Sequence, residues 1–569
     1  MSTRLDTNSR AATAGAQHAR LLLAPICAAV LAACGGGGSS GIATGTLSGT
    51  AAVGAALANA NVAITDAEKA NACVQTTIVT TAVGGFTCSL IPGVKAPFLV
   101  VVTDPSGGHA PLVGLAPVAP AAGGSLVVNA TPLTTAILGQ LAGGDALALV
   151  DQRTLIDTAK LDTIKTKVLQ QLGSVLTAIS APAGYDPFTT PIVAATGSSA
   201  GNTADQLIDL LQISKTNGVT TIATIDNTAA AVPLADATSE AQAVPTPAPA
   251  VTTLADALRL LAPALNRCFA VPAARRVVAS DTSIPAHLGG PDVTQVAAEC
   301  EDIVHVDYLH NGYHSGQAFY GLMNDATMDG AVFAATELLQ YLPATTPGGA
   351  ERAIVGMRYV DKNGVAGSVR TVARRFEGSA TSSGRGTDWY LYGNQQPIDS
   401  AIRPYIRRTE QFAPNPGSGA FASASASRYE TGIEIFINKD GPGSAGMRAA
   451  RVTGPGLPPA GLVYTRPDPS ICTVQSWLNI RRKDGLTDPS SANFAADVSN
   501  IFKLQRTVGL AGSDATTVRP NPNAGNSNST QFMAWAHPSD YGAAPGATGY
   551  IDFSALKANI TYQIEVFYD

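Results

Sequence analysis

Short runs of alternating apolar and polar residues fill the chain between residues 42 and 130. Runs such as ANVAITD and GGFTCSL are bounded by Gly, Pro or Asp, and in ANVAITD every second residue is apolar. In a strand, successive side chains point to opposite faces, so this period of two places one face on a core. Several such runs in succession are typical of a β-sandwich. We therefore predict a β-sandwich over 42–130.

Helical periodicity begins after this sandwich. Thr131 followed by Pro132 is a good N-cap and first-turn pair. Longer amphipathic patterns follow at 161–179 and 203–214, and the segment TNGV contains an Asn-Gly hairpin signal. The pattern predicts a helical region with a terminal hairpin over 131–226.

An Ala/Pro-rich stretch without periodicity, residues 227–250, is predicted to be a linker. After it, TTLADALRLLAPALNRCFA predicts an amphipathic helix and DVTQVAAECEDIV a second one. Strand-like runs follow, including a hairpin about Asn363–Gly364. We predict an α+β domain over 251–400. The order of its elements resembles the α+β cone of nuclear transport factor 2.

Residues 401–569 are again rich in strand patterns and predict a second β-sandwich. In the last run, Tyr562, Ile564 and Val566 alternate with polar residues, which indicates a half-buried strand. The predicted fold class is therefore a multidomain, β-rich α+β protein.

The N-terminus has the pattern of a secretory signal. Basic residues Arg4, Arg10 and Arg20 outnumber Asp6, and the following 13-residue apolar run LLLAPICAAVLAA is too short to span a bilayer. Such a run has the length of a signal-peptide core. It ends in LAAC at Cys34, and GGGGSSG follows.

LAAC resembles a bacterial lipobox, in which the chain is cleaved just before the cysteine and the cysteine is acylated. The resemblance implies a signal peptide at 1–33, a lipid anchor on Cys34 and a flexible Gly/Ser tether at 34–41. Several acyl chains would hold the protein firmly on a membrane. Gly35 after the cysteine favours the outer membrane of a bacterial cell envelope, with the exposed face left open.

Five of the seven cysteines remain for disulfide chemistry, because Cys27 lies in the signal peptide and Cys34 is the anchor. Proximity suggests the pairs Cys73–Cys88 and Cys268–Cys300 and leaves Cys472 over. Spacing alone does not establish connectivity.

The first sandwich resembles the carboxypeptidase-regulatory-like (transthyretin-like) domain. The matching residues are GTLSG at 45–49, ALANANVAITD at 56–66 and TTAVGGFTCSL at 80–90. The resemblance implies an accessory module without catalytic residues. Over 34–225 the layout also resembles uncharacterised proteobacterial lipoproteins with this N-terminal domain, a likeness that brings no activity with it.

The charge and residue composition of the chain argue against two classes of function. The net charge is −6, and no block of Lys or Arg occurs, which argues against a nucleic-acid partner. Charged residues make up 14% and aromatic residues 6% of the chain. These values suit β-rich secreted domains better than a helical cytosolic enzyme.

The segment HVDYLHNGYHSGQ contains the main candidates for chemistry, His305, Asp307, His310 and His314. If the segment is helical, His310 and His314 share a face and can hold a metal with Asp307. If 304–309 is a strand, His305 and Asp307 share a face instead. Asn311–Gly312 is a turn signal that argues against a continuous helix. A polar loop at a helix–sheet junction is the alternative to a site.

Two further candidates are weaker. The side chains of Tyr308, Tyr313, Trp389, Tyr392 and Asn394 would suit a carbohydrate or apolar-ligand pocket, although such aromatics are more often sheet core. GSSAG has the form of a nucleophile elbow around Ser199, but no alternating β/α series surrounds it.

The sequence favours binding over catalysis. We predict an outer-membrane-anchored lipoprotein that contacts a membrane through Cys34 and binds an envelope protein or a glycan, with no cofactor and no nucleic acid. The alternatives are a periplasmic or surface hydrolase or isomerase with a pocket in 251–400, and a structural or assembly lipoprotein.

Overall fold

The computed structural model describes residues 45–216, 218–283, 291–314, 321–344, 349–379, 386–410, 427–466, 476–480, 488–490, 503–509 and 561–569. The predictions of a signal peptide, a tether and a lipid anchor on Cys34 lie outside these residues, as does Cys472. Residues Thr44–Asp569 form one compact unit. Within the described residues, no helix is both long enough and apolar enough to cross a membrane.

The first strands form two facing sheets. They are β1 (Thr46–Thr50), β2 (Asn61–Thr65), β3 (Ile78–Val79), β4 (Gly85–Ser89), β5 (Phe98–Thr103), β6 (Leu112–Ala116) and β7 (Ser125–Val127). One sheet has the order β4-β1-β7 and the other β3-β2-β5-β6. Buried residues from both sheets, such as Leu47, Phe86 and Ile64, share one core. The disulfide Cys73–Cys88 lies in this core and has the expected pairing. The sandwich-like architecture is confirmed, whereas the family remains a prediction.

Strands β5 and β6 do not alternate because both of their faces are covered. In β5, Val100 belongs to the sandwich core and Leu99 to a second core. Val113 and Leu115 of β6 also face this second core. The second core therefore begins on the outer face of the sandwich, which helices cover.

These helices are α1 (Pro132–Ala142), α2 (Ala148–Asp151), α3 (Thr158–Gln171), α4 (Gly173–Ala178) and α5 (Thr203–Leu210). Thr131 caps α1 as predicted: Thr134 donates its backbone N–H to Thr131 Oγ1 at 3.1 Å, and Thr131 N donates to Thr134 Oγ1 at 2.8 Å. A cap of this kind is worth about 1 kcal/mol.

The helix predicted over 203–214 is shorter in the structure. It ends at Leu210, and the chain continues as β8 (Leu211–Thr216), paired with β9 (Val219–Thr224). Thr216 pairs with Val219, and Gly218 has a φ of 81°, so the Asn-Gly hairpin signal is confirmed. The hairpin starts earlier than predicted because the LQISKT run pairs along its whole length with VTTIAT.

The segment predicted to be a linker, 227–250, is packed into the structure. Its strand β10 (Val232–Pro233) pairs with β9, and Leu234, Ala235 and Val244 are buried. The buried Gln171 side chain donates to the carbonyl of Pro233 at 2.9 Å and accepts from Ala235 N at 2.8 Å. The missing periodicity therefore reflects a segment held by side-chain hydrogen bonds.

The central region begins with short helices, α6 (Leu254–Arg259), α7 (Leu261–Phe269), α8 (Ala273–Arg276) and α9 (Ala298–Glu301). The second expected disulfide, Cys268–Cys300, joins α7 to α9. The helix predicted from DVTQVAAECEDIV is wrong for its first half, which is a strand, β12 (Asp292–Val296), paired with β11 (Val277–Asp281). Only its AECE part is helical, because pairing with β11 overrides the apolar spacing.

The remaining strands of this region are β13 (Leu309–His310), β14 (Tyr313–His314), β15 (Val332–Phe333), β16 (Glu337–Leu342), β17 (Arg352–Val360), β18 (Ala366–Arg375) and β19 (Trp389–Leu391). Strands β15, β17, β18 and β19 are adjacent in that order, and β16 also pairs with β17. The predicted hairpin about Asn363–Gly364 joins β17 to β18. Helices thus precede an antiparallel sheet, as predicted, and the likeness to nuclear transport factor 2 remains a prediction.

One hydrophobic core runs through the helical and central regions, from Leu99 on the sandwich to Leu391 on β19. It includes residues of the predicted linker, such as Leu234 and Val244. The two halves of the chain are therefore joined by shared packing.

The C-terminal region contains β20 (Ser400–Glu410), β21 (Ser427–Ile437), β22 (Met447–Thr453), β23 (Leu462–Thr465), β24 (Asn479–Ile480), β25 (Lys503–Gly509) and β26 (Gln563–Tyr568). The sheets have the orders β20-β21-β25 and β24-β23-β22-β26. They share a core that includes Ile435 of the first sheet and Val452 of the second. Tyr562, Ile564 and Val566 pack on this core, so the predicted alternation is confirmed.

Candidate functional site

The described part of HVDYLHNGYHSGQ, residues 305–314, forms a small hairpin, which we call the histidine hairpin. Strand β13 pairs with β14 through His310 and Tyr313. Asn311 and Gly312 have positive φ values of 54° and 84°, which fits an Asn-Gly turn. The turn signal is confirmed, and both the helix and the strand over 304–309 are wrong.

His305 lies against aromatic rings at the start of this segment. Its ring stacks on Phe376 with the centroids 3.9 Å apart and the planes 8° apart. Its Nδ1 accepts a hydrogen bond from Asp307 N at 3.1 Å. Val304 forms a bridge with Leu391 beside it. These contacts fix the imidazole on the central sheet.

His310 and His314 face different surroundings. His310 Nδ1 is buried and has no hydrogen-bond partner among the described residues, and burial lowers the pKa of this histidine. The side chain of His314 is 59% exposed, and its Nδ1 lies 3.2 Å from Oδ2 of the buried Asp292. Burial raises the pKa of Asp292 to about 6, although hydrogen bonds and charge from His314 oppose this rise.

The four metal candidates therefore do not converge. Among the residues that the structure describes, no group of three or more His, Cys, Asp or Glu side chains is arranged to hold a metal ion. Asp307 contacts His305 rather than His310. The reason is the Asn-Gly turn, which separates the partners that a helix would have aligned.

The structure places most residues of the predicted aromatic pocket in the core. Tyr308, Tyr313 and Trp389 are core residues, exposed by 1%, 0% and 3%. The Tyr308 hydroxyl lies 2.9 Å from Thr371 Oγ1. Tyr392 accepts a hydrogen bond from Arg374 at 2.9 Å. Tyr308, Tyr313 and Trp389 are therefore too buried to face an open pocket, whereas Tyr392 and Asn394 are half-buried.

Asn394 belongs to a polar network at the tip of the histidine hairpin. Its Oδ1 accepts from Asn311 N at 3.0 Å, and its Nδ2 donates to Asn311 Oδ1 at 2.7 Å. Asn438 donates to the nearby carboxylate of Asp399 at 3.0 Å. The network joins the central region to the C-terminal sheets, which is a structural role.

Ser199 does not form a nucleophile elbow. Residues 191–196 are not a strand, and α5 begins only at Thr203, with Asn202 as its N-cap. The Ser199 hydroxyl lies 2.8 Å from Thr196 Oγ1. Within the described ranges no histidine is hydrogen-bonded to it. The segment is a polar turn leading to a helix cap.

This turn nevertheless lines a cavity, which we call the junction cavity. The cavity has a volume of about 490 Å³, within the range of small-molecule sites. Its walls come from the N-terminal sandwich, the 195–199 turn and the central strands. Small apolar side chains predominate in the lining: Ala56, Ala58, Val83, Ala195, Val332 and Ala334.

The cavity wall includes a nearly buried arginine, Arg358. Arg358 of β17 is 9% exposed and donates from Nη2 to the carbonyl of Ala56. Its other N–H groups have no acceptor among the described residues. Burial lowers the pKa of Arg358, while Asp104 and Glu337 act in the opposite direction. An arginine stays protonated even so.

The neighbouring carboxylates are not ion-paired with Arg358. Glu337 pairs with His109 at 2.9 Å. Asp104 accepts from Ser106 N and Oγ through Oδ1, at 2.9 and 2.7 Å, while its buried Oδ2 has no partner in the described structure. The guanidinium thus retains free donors beside a site with room for a ligand.

The buried Asp205 supports the same wall from behind, and the buried Asp209 follows it one turn later on α5. Asp205 Oδ2 accepts from Ala195 N at 2.8 Å, and Ala195 lines the cavity. Burial raises the pKa of Asp205 to about 6, and burial together with the Asp205 charge raises that of Asp209 well above its ordinary value. Clusters of perturbed titratable groups at a cavity are typical of functional sites.

Sequence reasoning missed the junction cavity. Its walls are mostly alanine and valine from segments far apart in the chain, and no motif marks them. The one available signal was Arg358 inside the apolar run AIVGMRYV. A charged residue in such a strand needs an explanation, because burying a charge is costly unless it is paired.

The comparisons with known proteins give no further guide. No protein-family model, no curated protein and no solved structure matches the chain. The likenesses to a carboxypeptidase-regulatory-like domain and to proteobacterial lipoproteins therefore stay predictions.

Proposed function

We propose that the chain is a lipid-anchored protein of the bacterial cell envelope that binds a small ligand in the junction cavity. The observation that carries the binding part is the cavity itself, with a buried Arg358 whose donors are not all used. The anchoring part depends on the LAAC pattern at Cys34.

The disulfides support an extracytoplasmic location. Cys73–Cys88 and Cys268–Cys300 are both bonded. Disulfides persist in oxidising compartments such as the periplasm and are rare in the cytosol. Two bonded pairs therefore fit the signal-peptide pattern that precedes them in the chain.

The cavity supports small-molecule binding more than protein binding. It is concave and lined mainly by apolar side chains, with polar ones such as Asp104, Thr196 and Arg358 among them, as small-molecule sites are. Three segments distant in sequence enclose it, so the folded chain presents it preformed. The expected envelope-protein or glycan partner remains the alternative occupant.

A fluorescence titration tests the binding. We expect the uncharged probe N-phenyl-1-naphthylamine to bind residues 44–569 with increased emission. Ala334→Leu places extra side-chain volume in the cavity and should abolish the increase. Ala159→Leu, on the exposed face of α3, is the matched control and should leave it unchanged. Absent probe binding, or binding unaffected by Ala334→Leu, would refute the cavity as a binding site.

The anchor has a separate test. We expect the full-length chain, expressed in a Gram-negative host with an alkyne fatty acid, to incorporate the label and to sediment with outer membranes. Cys34→Ser should remove the label and release the protein. Labelling that persists in Cys34→Ser would contradict the proposed anchor and leave cavity binding unaffected.

The enzyme alternative has one specific observation in its favour. In the pair Asp292–His314, a buried carboxylate holds an exposed imidazole, as in base–orienter pairs. Hydrolysis of p-nitrophenyl ester probes that is lost in His314→Ala would favour this alternative over a binding protein.

A further inference from the structure

We infer that the junction cavity takes a small monocarboxylate with an apolar body, and that the Arg358 guanidinium binds its carboxylate. This inference rests on the proposed function and names the chemical class of its ligand.

The first argument concerns unused donors. A guanidinium has five N–H donors in a planar fork. Arg358 uses one nitrogen, Nη2, on the carbonyl of Ala56, and no other acceptor among the described residues contacts it. The free part of the fork matches the two oxygens of a carboxylate, which arginine binds through paired hydrogen bonds.

Arg276 is the other buried arginine of the described residues, and it has a carboxylate partner. Arg276 has an ion pair with Asp329 at 2.5 Å and donates to the carbonyls of Val271 and Leu322. Even the exposed Arg375 pairs with a carboxylate, that of Glu351 at 2.8 Å. Arg358 has no such carboxylate, although it is almost fully buried. A bound carboxylate would supply the missing partner.

The walls define the rest of the ligand. Ala56, Ala58, Ala195 and Ala334 offer apolar surface without polar atoms in their side chains. Val83 and Val332 also line the cavity and are 54% and 64% exposed, which places apolar surface at the rim. An aliphatic or aromatic body would cover this surface.

The surrounding charges favour one negative charge over two. Asp104 and Glu337 are close enough to influence Arg358, and Asp104 Oδ2 has no partner among the described residues. Asp104 also lines the cavity. Any anion meets the repulsion of these acids, which is poorly screened in a buried site, and a dianion meets about twice as much of it as a monoanion does. A phosphate monoester or a dicarboxylate is therefore a poorer fit.

The test is displacement of N-phenyl-1-naphthylamine from residues 44–569 at neutral pH. The competitors share one body and differ in the head group: octanoate, octanol, octylamine and octyl phosphate. A hydrogen bond to a charged group contributes about 1.5–3 kcal/mol, so octanoate should bind roughly 10- to 100-fold more tightly than octanol. Octylamine and octyl phosphate should both bind more weakly than octanoate.

Substitutions of Arg358 test whether this residue causes the preference for octanoate over octanol. Arg358→Gln should bind the uncharged probe and lose the preference of octanoate over octanol, and Arg358→Lys should retain part of it. Arg370→Gln is the matched control, because Arg370 on β18 also donates to a main-chain carbonyl of the sandwich, that of Gly108 at 2.7 Å, but does not line the cavity. It should keep the full preference.

The outcomes separate the two proposals. Equal displacement by octanoate and octanol would overturn the monocarboxylate inference and leave cavity binding intact. Tighter binding of octyl phosphate would also overturn it. Failure of the probe to bind would refute the proposed function itself. If Arg358→Gln does not fold, the head-group series on the unaltered chain still decides, and loss of octanoate binding in Ala334→Leu locates it.

Discussion

The histidine hairpin and the junction cavity use polar residues in opposite ways. At the hairpin, Asn311 and Asn394 satisfy each other, and Tyr308 meets Thr371 in the core. At the cavity, Arg358 keeps free donors, and Asp104 keeps a buried oxygen without a partner in the described structure. The hairpin also has a buried atom without a partner in the described structure, His310 Nδ1, but there the unmet group belongs to an imidazole, whereas at the cavity the unused donors belong to a charged guanidinium.

Buried polar groups without hydrogen-bond partners are therefore a better guide to a ligand-binding site than residue type alone. A buried polar group that has its partners stabilises one structure, whereas one without them carries a cost that a ligand can remove. Substitutions at the hairpin should accordingly change stability, and substitutions of the residues that line the cavity should change binding. The predictions below separate these effects, from the largest to the smallest.

The largest effect is expected for Gly312→Ala at the hairpin turn. Gly312 has a φ of +84°, and an added Cβ would lie 2.9 Å from the carbonyl oxygen of Pro397 and 3.0 Å from Pro442. Left-handed backbone and overpacking together should lower the free energy of unfolding by about 2–5 kcal/mol. Urea denaturation of residues 44–569 measures this loss.

The control for Gly312→Ala is Gly364→Ala in the β17–β18 turn. Gly364 has a similar φ of +80°, but nothing lies within 4 Å of its added Cβ. It should cost only about 1–2 kcal/mol, from the backbone alone. Equal losses in the two variants would show that the hairpin tip is not tightly packed against the Pro397 segment.

A substitution behind the cavity wall, Asp205→Asn, should raise the free energy of unfolding instead of lowering it. Asp205 is buried on α5, and its pKa is raised from 3.8 to about 6, mainly by burial. Asp205→Asn keeps an acceptor for Ala195 N–H and removes the buried charge. We expect it to raise the free energy of unfolding at neutral pH by about 1–3 kcal/mol.

The pH dependence checks the cause. Because the folded-state pKa of Asp205 lies above its unfolded value of 3.8, the folded chain retains a proton that the unfolded chain releases. This contribution to stability is full below pH 3.8 and is lost as the pH rises through about 6. The gain in Asp205→Asn should therefore shrink toward acidic pH. A gain independent of pH would rule out this explanation, and the exposed Asp162→Asn should show little change.

A smaller effect is expected for Tyr308→Phe in the core beside the hairpin. The substitution removes the hydroxyl that lies 2.9 Å from Thr371 Oγ1. The free energy of unfolding should fall by about 1 kcal/mol. Combined with Thr371→Val in a double-mutant cycle, the losses should not add, because each variant removes the same hydrogen bond. Additive losses would contradict this pairing.

Local patterns predicted local structure well. Thr131–Pro132 marked the start of α1, TNGV marked a hairpin, and alternation in 562–566 marked the half-buried strand β26. Each signal depends on neighbours in the chain. DVTQVAAECEDIV failed because its first half pairs with β11, and a pairing between separate segments overrides weak helical spacing.

The candidate site needed the same long-range information. Ala56, Ala195 and Arg358 meet only in the folded chain, and alanine has no chemistry to attract notice. His310 and His314, in contrast, were noticeable by type, yet the Asn311–Gly312 turn directs them to different surroundings. Residue identity suggested a metal centre at the hairpin, whereas the packing places the free donors of Arg358 elsewhere.

The smallest effect is expected for metal ions. We expect Zn²⁺ or a chelator to leave the thermal midpoint of residues 44–569 unchanged, because His305, His310 and His314 do not share a centre with Asp307. His310→Ala/His314→Ala should give the same null response and leave displacement of the probe by octanoate unaltered. Stoichiometric zinc by elemental analysis, lost in this double variant, would reverse the comparison. The hairpin would then be a centre whose remaining ligands lie outside the described residues, and its histidines would have a function beyond structure.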